Sequence, residues 1–407
     1  MKIAYRKQRR EQGSFMMFAL FFGVLLTITL GSYLVMIGAQ HKSVVRSERW
    51  NSTLTLAEAG VEEALAQMNA SPNDFSANNW GTSGGNYGPV TRTLGTGSYG
   101  VSIVPGSVAT IYSTGYVTVP ITGNILSRKV KVTAQNQPLI NVPLGAVGNI
   151  NMNGNSVATD SWNSHNPNLS NNGAYDSTKT SSNGSVASVQ GIVNIGQHTI
   201  DGNLYLGPTA SYASGTNQVT GQIYSDYNVQ FPDAVLPAVS WLPAVAVSGA
   251  YDFTVSGNYL VTDSKNITVE PGVTVNLKLT ATSFSPSTIT VNGGLTNSGT
   301  LTMYQVSGTA SIGGNSAPNV TRPQNFYYYG LPGVTSITFS GTSDFIGVIY
   351  APEASLTLNG GGHGTGLEGA AIVNTVTLNG KYDFHYDESL ATNGPTRGFI
   401  ATSWQEL

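Results

Sequence analysis

Between Gly13 and Gln40 the chain has no charged residue, and residues 14–39 within it read SFMMFALFFGVLLTITLGSYLVMIGA. An apolar run of that length can cross a bilayer as a helix with some tilt. Lys2, Arg6, Lys7, Arg9 and Arg10 precede it, so the positive-inside rule sets the N-terminus on the cytoplasmic side. The run is too long for the apolar core of a secretory signal, and no A-x-A site follows near its far end. This segment leaves few options for the chain around it.

Charge is distributed to match. Residues 1–50 hold eight Lys/Arg against Glu11 and Glu48, whereas the remaining 357 residues hold ten against nineteen Asp/Glu. A basic head beside anionic lipid fits that asymmetry, and the weakly acidic body lacks the basic face that nucleic acid requires. Cysteine is absent, which excludes a disulfide framework, a thiol nucleophile and a thiolate metal site. With 40% hydrophobic residues the chain is nonetheless a folding one.

The helical pattern outlasts the apolar run. Trp50, Leu54, Ala57, Val61, Leu65 and Met68 recur at steps of four and three, one stripe of a helix that packs on something. Ser71-Pro72 ends it. A single helix over residues 14–69 is about 80 Å long at ~1.5 Å per residue. A Gly/Asn-rich connector follows, and then strand signals: SYGVSIV, TIYSTGYVTV and RKVKVTA alternate apolar and polar residues. Short antiparallel strands on the amphipathic half of the helix make a small α+β module ending near Pro138.

Beyond residue 138 helix signals vanish, and short β-branched runs alternate with Asn-Gly and Gly-Gly turns. LTLNG (356–360) and VTLNG (376–380) lie 20 residues apart, and ITV recurs at 267 and 289. Spacings near 20 fit one coil of a parallel β-helix or solenoid; regular short strands also fit an antiparallel β-sandwich. The layout expected is a basic leader over 1–13, a transmembrane helix over 14–40 and its amphipathic continuation over 41–70. A connector with a small sheet follows over 71–137, then an all-β head over 138–395 and a C-terminal tail over 396–407.

Chemistry-bearing motifs are sparse. GTGLEG (364–369) has the G-x-G-x-x-G form, but strand-like AAIVNTVTLNG follows where a nucleotide-binding helix should open, so a turn between strands is the better reading. In KYDFHYDESL, Asp383, His385 and Asp387 fall at i, i+2 and i+4 of a strand, one face that could hold a divalent cation or simply cap the head with polar groups. The five His have no H-x-x-x-H spacing, and from residue 138 onward six Lys/Arg and fifteen Asp/Glu are thinly spread. That is poor material for carboxylate-pair hydrolysis, so no enzyme and no cofactor are expected. FYYYG (326–330) offers aromatic faces for sugars or for packing.

The basic leader ending in Gln12-Gly13, the apolar helix from Ser14 and the segment LAEAGVEEALAQMN (56–69) together resemble type IV pilin-like proteins, especially the PilX-type minor pilins and related pseudopilins. That resemblance implies cleavage by a prepilin peptidase between Gly13 and Ser14. The new N-terminus would open a helix that packs into a fibre with other pilin subunits and assembly machinery. Most pilins carry Glu at the fifth mature position, where this chain has Phe18, which points to a low-copy or tip subunit. IGVIYAPEASLTLNG, GAAIVNTVTLNG and FHYDESL resemble a domain found behind PilX-like N-termini in bacterial surface proteins, with no assigned activity. The implied protein is a single-pass bacterial inner-membrane subunit of a pilus or pseudopilus, with a periplasmic or extracellular head for adhesion or surface recognition. The alternatives are a non-polymerising surface protein that binds extracellular polysaccharide and a carbohydrate-active β-helix enzyme.

Overall fold

The computed structural model describes residues 12–70, 75–76, 78–106, 108–120, 122–140, 142–153, 158–213, 218–313, 320–341, 344–360, 366–380, 382–394 and 396–407. Residues 1–11 of the basic leader and Ser71-Pro72 lie outside them. Two compact units result, Met1–Gln137 with Gly398–Leu407, and Pro138–Arg397.

In the first unit one helix, α1, runs from Gln12 to Ala70, about 88 Å at ~1.5 Å per residue. It contains no proline that would break it. Its hydroxyls in the apolar half are satisfied locally: Thr27, Thr29 and Ser32 donate to the carbonyls of Val24, Leu26 and Ile28 at 2.8–2.9 Å.

An antiparallel sheet accompanies the second half. Its strands are β1 (Thr82–Ser83), β2 (Asn86–Leu94), β3 (Gly97–Val104), β4 (Ala109–Thr118) and β5 (Ile125–Pro138), in that spatial order. Residues 396–407, expected as a tail, instead supply the sixth strand, Thr396–Glu406, on the free side of β5. Arg128 grips Glu406 with two 2.5 Å bonds, and the Thr133 hydroxyl meets those of Thr402 and Ser403 at 3.0 and 2.6 Å. The sheet's inner positions, among them Tyr99, Val101, Ile103, Ile111, Val130 and Val132, form one core with α1.

The buried face of α1 is offset from the stripe of bulky residues. Its centre is small: Thr53, Ala57 and Ala64 are fully buried, and Gly60 lies against Ser113 and Tyr99. Val61 and Met68 are buried beside them, Leu54 and Leu65 pack at the edges, and Trp50 stays 45% exposed with the Arg128 guanidinium 5.3 Å from its ring. Bulky side chains would hold the sheet away, so the closest approach falls on the small ones.

The second unit is β-rich, with long parallel sheets. Thr300–Gly313 pairs in parallel with Phe326–Gly341, that strand with Phe345–Gly360, and that one with Gly366–Leu378. The repeats seen in the sequence stand in register: Leu356 opposite Val376, Leu358 opposite Leu378, and Ile267–Val269 opposite Ile289–Val291. Asn379 Nδ2 donates to Asn359 Oδ1 at 2.7 Å where the strands end. Parallel pairing is not that of an antiparallel sandwich. Buried Val, Ile, Leu and Phe from Ile140 to Leu390 form one continuous core.

Chain order and stacking order differ. The first strands, Leu144–Ala146, Ile150–Met152 and Ala158–Trp162, lie between the last ones and those around Val186–Ser188 and Ile192–Asn194. The chain proceeds outward to Ile223–Tyr224, runs through 225–241, resumes at Leu242–Pro243, and works back until Asp383–Asp387 pairs with Ala158–Trp162.

Candidate functional site

Two features stand out, one in each unit. The first is the N-terminal half of α1, long and apolar enough to cross a membrane, with a mean hydropathy of 2.2 and nothing covering it. Phe15, Met16, Met17, Phe18, Phe21 and Leu26 are each more than 60% exposed. Single exposed apolar residues are ordinary, but a continuous sleeve of them marks a surface that lipid or other helices cover. Gly13 and Ser14, expected to flank a processing site, are helical.

The second is a polar ladder on the head. Glu368, His385 and Asp160 stand in register on three neighbouring parallel strands. Nδ1 of His385 lies 2.6 Å from Asp160 Oδ1. Tyr175, from the loop after Trp162, lies over them, its ring stacked 3.8 Å from the imidazole and its hydroxyl donating to Asp160 Oδ2 at 2.7 Å. Glu368 and His385 keep only 8% and 6% of their surface exposed. Burial first, then the neighbouring Asp344 charge, pushes the Glu368 carboxyl up to about 7, with His385 opposing. Burial also raises Asp344, which accepts a 2.8 Å bond from Gly366 N–H. Glu368 therefore holds its proton to a higher pH than an exposed carboxyl does.

Asp383, His385 and Asp387, the candidate cation ligands, turn to separate partners. Asp383 accepts from Ala158 N–H at 2.9 Å, and His385 turns to Asp160. Asp387, fully buried, accepts from Ser164 N–H, Ser389 N–H and the Ser389 hydroxyl at 2.9–3.1 Å. Among the described residues no group of three or more His, Cys, Asp or Glu is arranged to hold a metal ion. The acids serve as acceptors for backbone that the strands leave unpaired. The ladder was partly readable, since His385 stood out; Asp160, Glu368 and Tyr175 did not, because their strand partners are hundreds of positions apart or hidden in a glycine motif.

Of GTGLEG, 364–365 lie outside the described residues, and Gly366–Gly369 begin the strand Gly366–Leu378. No helix opens there. The aromatic run packs internally: Tyr328 is buried and donates to Gln305 Oε1 at 2.6 Å. Tyr329 stacks on Tyr304 with centroids 5.1 Å apart, Trp241 meets Tyr304 edge-on, and the Tyr350 hydroxyl donates to Pro232 O at 2.6 Å. The column of rings thus seats the 225–241 connection.

A family model described as Domain of unknown function (DUF7305) matches residues 246–393, about a third of the chain. No curated protein matches this chain. Among solved structures, the competence-associated pilin ComZ from Thermus thermophilus aligns over 90% of this chain and 97% of its own, at 11% identity and a TM-score of 0.30. A likeness that loose carries no argument about fold or function.

Proposed function

We propose that this chain is a membrane-inserted, pilin-like structural subunit, non-enzymatic, that displays a β-solenoid head for adhesion or surface recognition. One observation carries the reading: α1 is covered by its own sheet from Thr53 to Met68 and bare from Phe15 to Ile37. An isolated apolar sleeve needs hydrocarbon, and association with like helices exchanges one apolar surrounding for another. That exchange is the physical basis of insertion followed by assembly with other subunits and assembly machinery. Prepilin peptidase would act at the Gly13–Ser14 bond, and Phe18 in place of an acid suits a low-copy or tip position. The head's in-register parallel repeats support the solenoid, and the burial of the polar ladder under Tyr175 supports a structural role for it. N-terminal sequencing of membrane-extracted protein tests the reading. A chain beginning at Ser14 supports processing; recovery starting at Met1 from a strain with an active peptidase overturns it in favour of a non-polymerising surface protein.

A further inference from the structure

The region just beyond the apolar sleeve holds a cavity of about 350 Å³ between α1 and the turn joining β4 to β5, lined by Lys42, Ser43, Arg46, Val119, Thr122 and Asn124 together with Leu126. Its volume is in the range that takes a small ligand. The turn is set by Val119 N–H donating to Asn124 O and Gly123 N–H to Val119 O, both at 2.8 Å, with Gly123 at φ +70°. No acid lines the cavity. Among the described residues neither Lys42 nor Arg46 has an ion-pair partner, and at i, i+4 on one helix face the two cations repel. Two hydroxyls and an amide add donors. The Thr122 hydroxyl also accepts from Asn124 N–H at 3.4 Å, and an oxyanion, above all a phosphate, matches the charge and donor chemistry of this lining.

Position along α1 selects the source of that phosphate. From Phe15 to Ile37 the exposed apolar side chains extend about 33 Å at ~1.5 Å per residue, close to the ~30 Å hydrocarbon thickness of a bilayer. Lys42 and Arg46 then lie roughly 7 and 13 Å further on. Helical side chains lean toward the N-terminus, here toward the membrane, so Lys42 lies at a headgroup layer about 5–8 Å deep and Arg46, just beyond it, leans toward it. Val44 and Ile125, 65% and 67% exposed and next in sequence to the lining residues Ser43 and Asn124, supply apolar contacts near that depth.

We propose that this cavity binds the phosphate of an anionic lipid headgroup in the leaflet where α1 leaves the membrane, fixing the first unit's depth and rotation at the surface. The proposal rests on the membrane-inserted reading above. It is tested with the full chain reconstituted into nanodiscs of phosphatidylcholine doped with phosphatidylglycerol of the same acyl chains, the bound lipids being counted by native mass spectrometry. The wild type is expected to enrich phosphatidylglycerol about tenfold or more, and K42Q/R46Q to lose that enrichment. T122A/N124A, which keeps both cations and alters only the turn, is expected to weaken it severalfold and guards against misfolding of the first variant. Equal retention of the two lipids by the wild type, or enrichment unchanged in both variants, overturns the site. Displacement of the lipid by millimolar inorganic phosphate overturns the lipid source in favour of a soluble anion. Failure of the wild type to enter neutral nanodiscs would instead overturn the membrane reading itself.

Discussion

Gly60 of α1 and Gly115 of β4 show how the helix meets its sheet. A Cβ on Gly115 would overlap the Thr53 carbonyl oxygen and approach Ala57 N to 2.9 Å; one on Gly60 would overlap the Ser113 hydroxyl and approach Tyr99 at 2.9 Å. Alanine in a free helix gains about 1 kcal/mol over glycine, but overpacking costs roughly 1–3 kcal/mol. Gly60→Ala is therefore expected to destabilise the first unit, and Gly115→Val to do so by several kcal/mol, in thermal melts of the full chain. Glu368 acts on the head instead. Its carboxyl is raised from 4.5 to about 7 by burial, so the folded state holds the proton more tightly than the unfolded chain. The stabilisation is fully present below pH 4.5 and is lost as pH rises through about 7, on the order of 3 kcal/mol over that window. Asp344 and Asp383, also raised by burial, act in the same direction, while the Asp387 and Asp160 charges reinforce the Glu368 shift. Glu368→Gln is expected to flatten the fall in melting temperature between pH 5 and pH 8, and a slope equal to the wild type's would rule out this assignment.

At the scale of elements, α1 is two helices in one. Leu26, 65% exposed in the middle of the apolar half, is where a charge meets the lowest dielectric, costing about 2.5–3.5 kcal/mol of insertion. Leu26→Arg is expected to shift protein from the carbonate-resistant membrane fraction toward the soluble one. Met68→Ala, at a fully buried position of the other half, should leave partitioning unchanged and cost about 2–5 kcal/mol of packing. The apolar half was legible because hydropathy alone decides it. The packed half was legible as a helix and only in part in its rotation. The expected stripe shares Ala57, Val61 and Met68 with the buried face but overshoots it at Trp50, Leu54 and Leu65. The sheet also approaches over Thr53, Gly60 and Ala64, whose smallness is invisible to a hydrophobicity pattern. The same blindness hid the strand Thr396–Glu406, whose hydrogen-bonding partner β5 lies some 270 positions earlier.

At the scale of the whole molecule, the repeats were readable because register is local to each pair of strands: residues about 20 apart fill equivalent slots in successive parallel strands. The route was not readable, since nothing near residues 144 or 383 announces that the first and last strands of the head are neighbours. The last residues, Gly398–Leu407, belong to the first unit, where the last strand closes the sheet. A chain ending at Gly394 tests what that closure does. It leaves the outer N–H and C=O groups of β5 unpaired, a template for association, and removes the Phe399 ring stacked edge-on 5.6 Å from Phe75. The lost Arg128–Glu406 pair matters less, because Glu406 is 42% exposed. Ring burial and the strand's hydrogen bonds together amount to about 2–3 kcal/mol, or roughly 5–10 °C for a unit of this size. The buried residues of the two cores do not overlap, so calorimetry of the truncated chain is expected to show one transition lowered by that amount and the other in place. A single transition displaced as a whole would mean that the last strand stabilises both cores together.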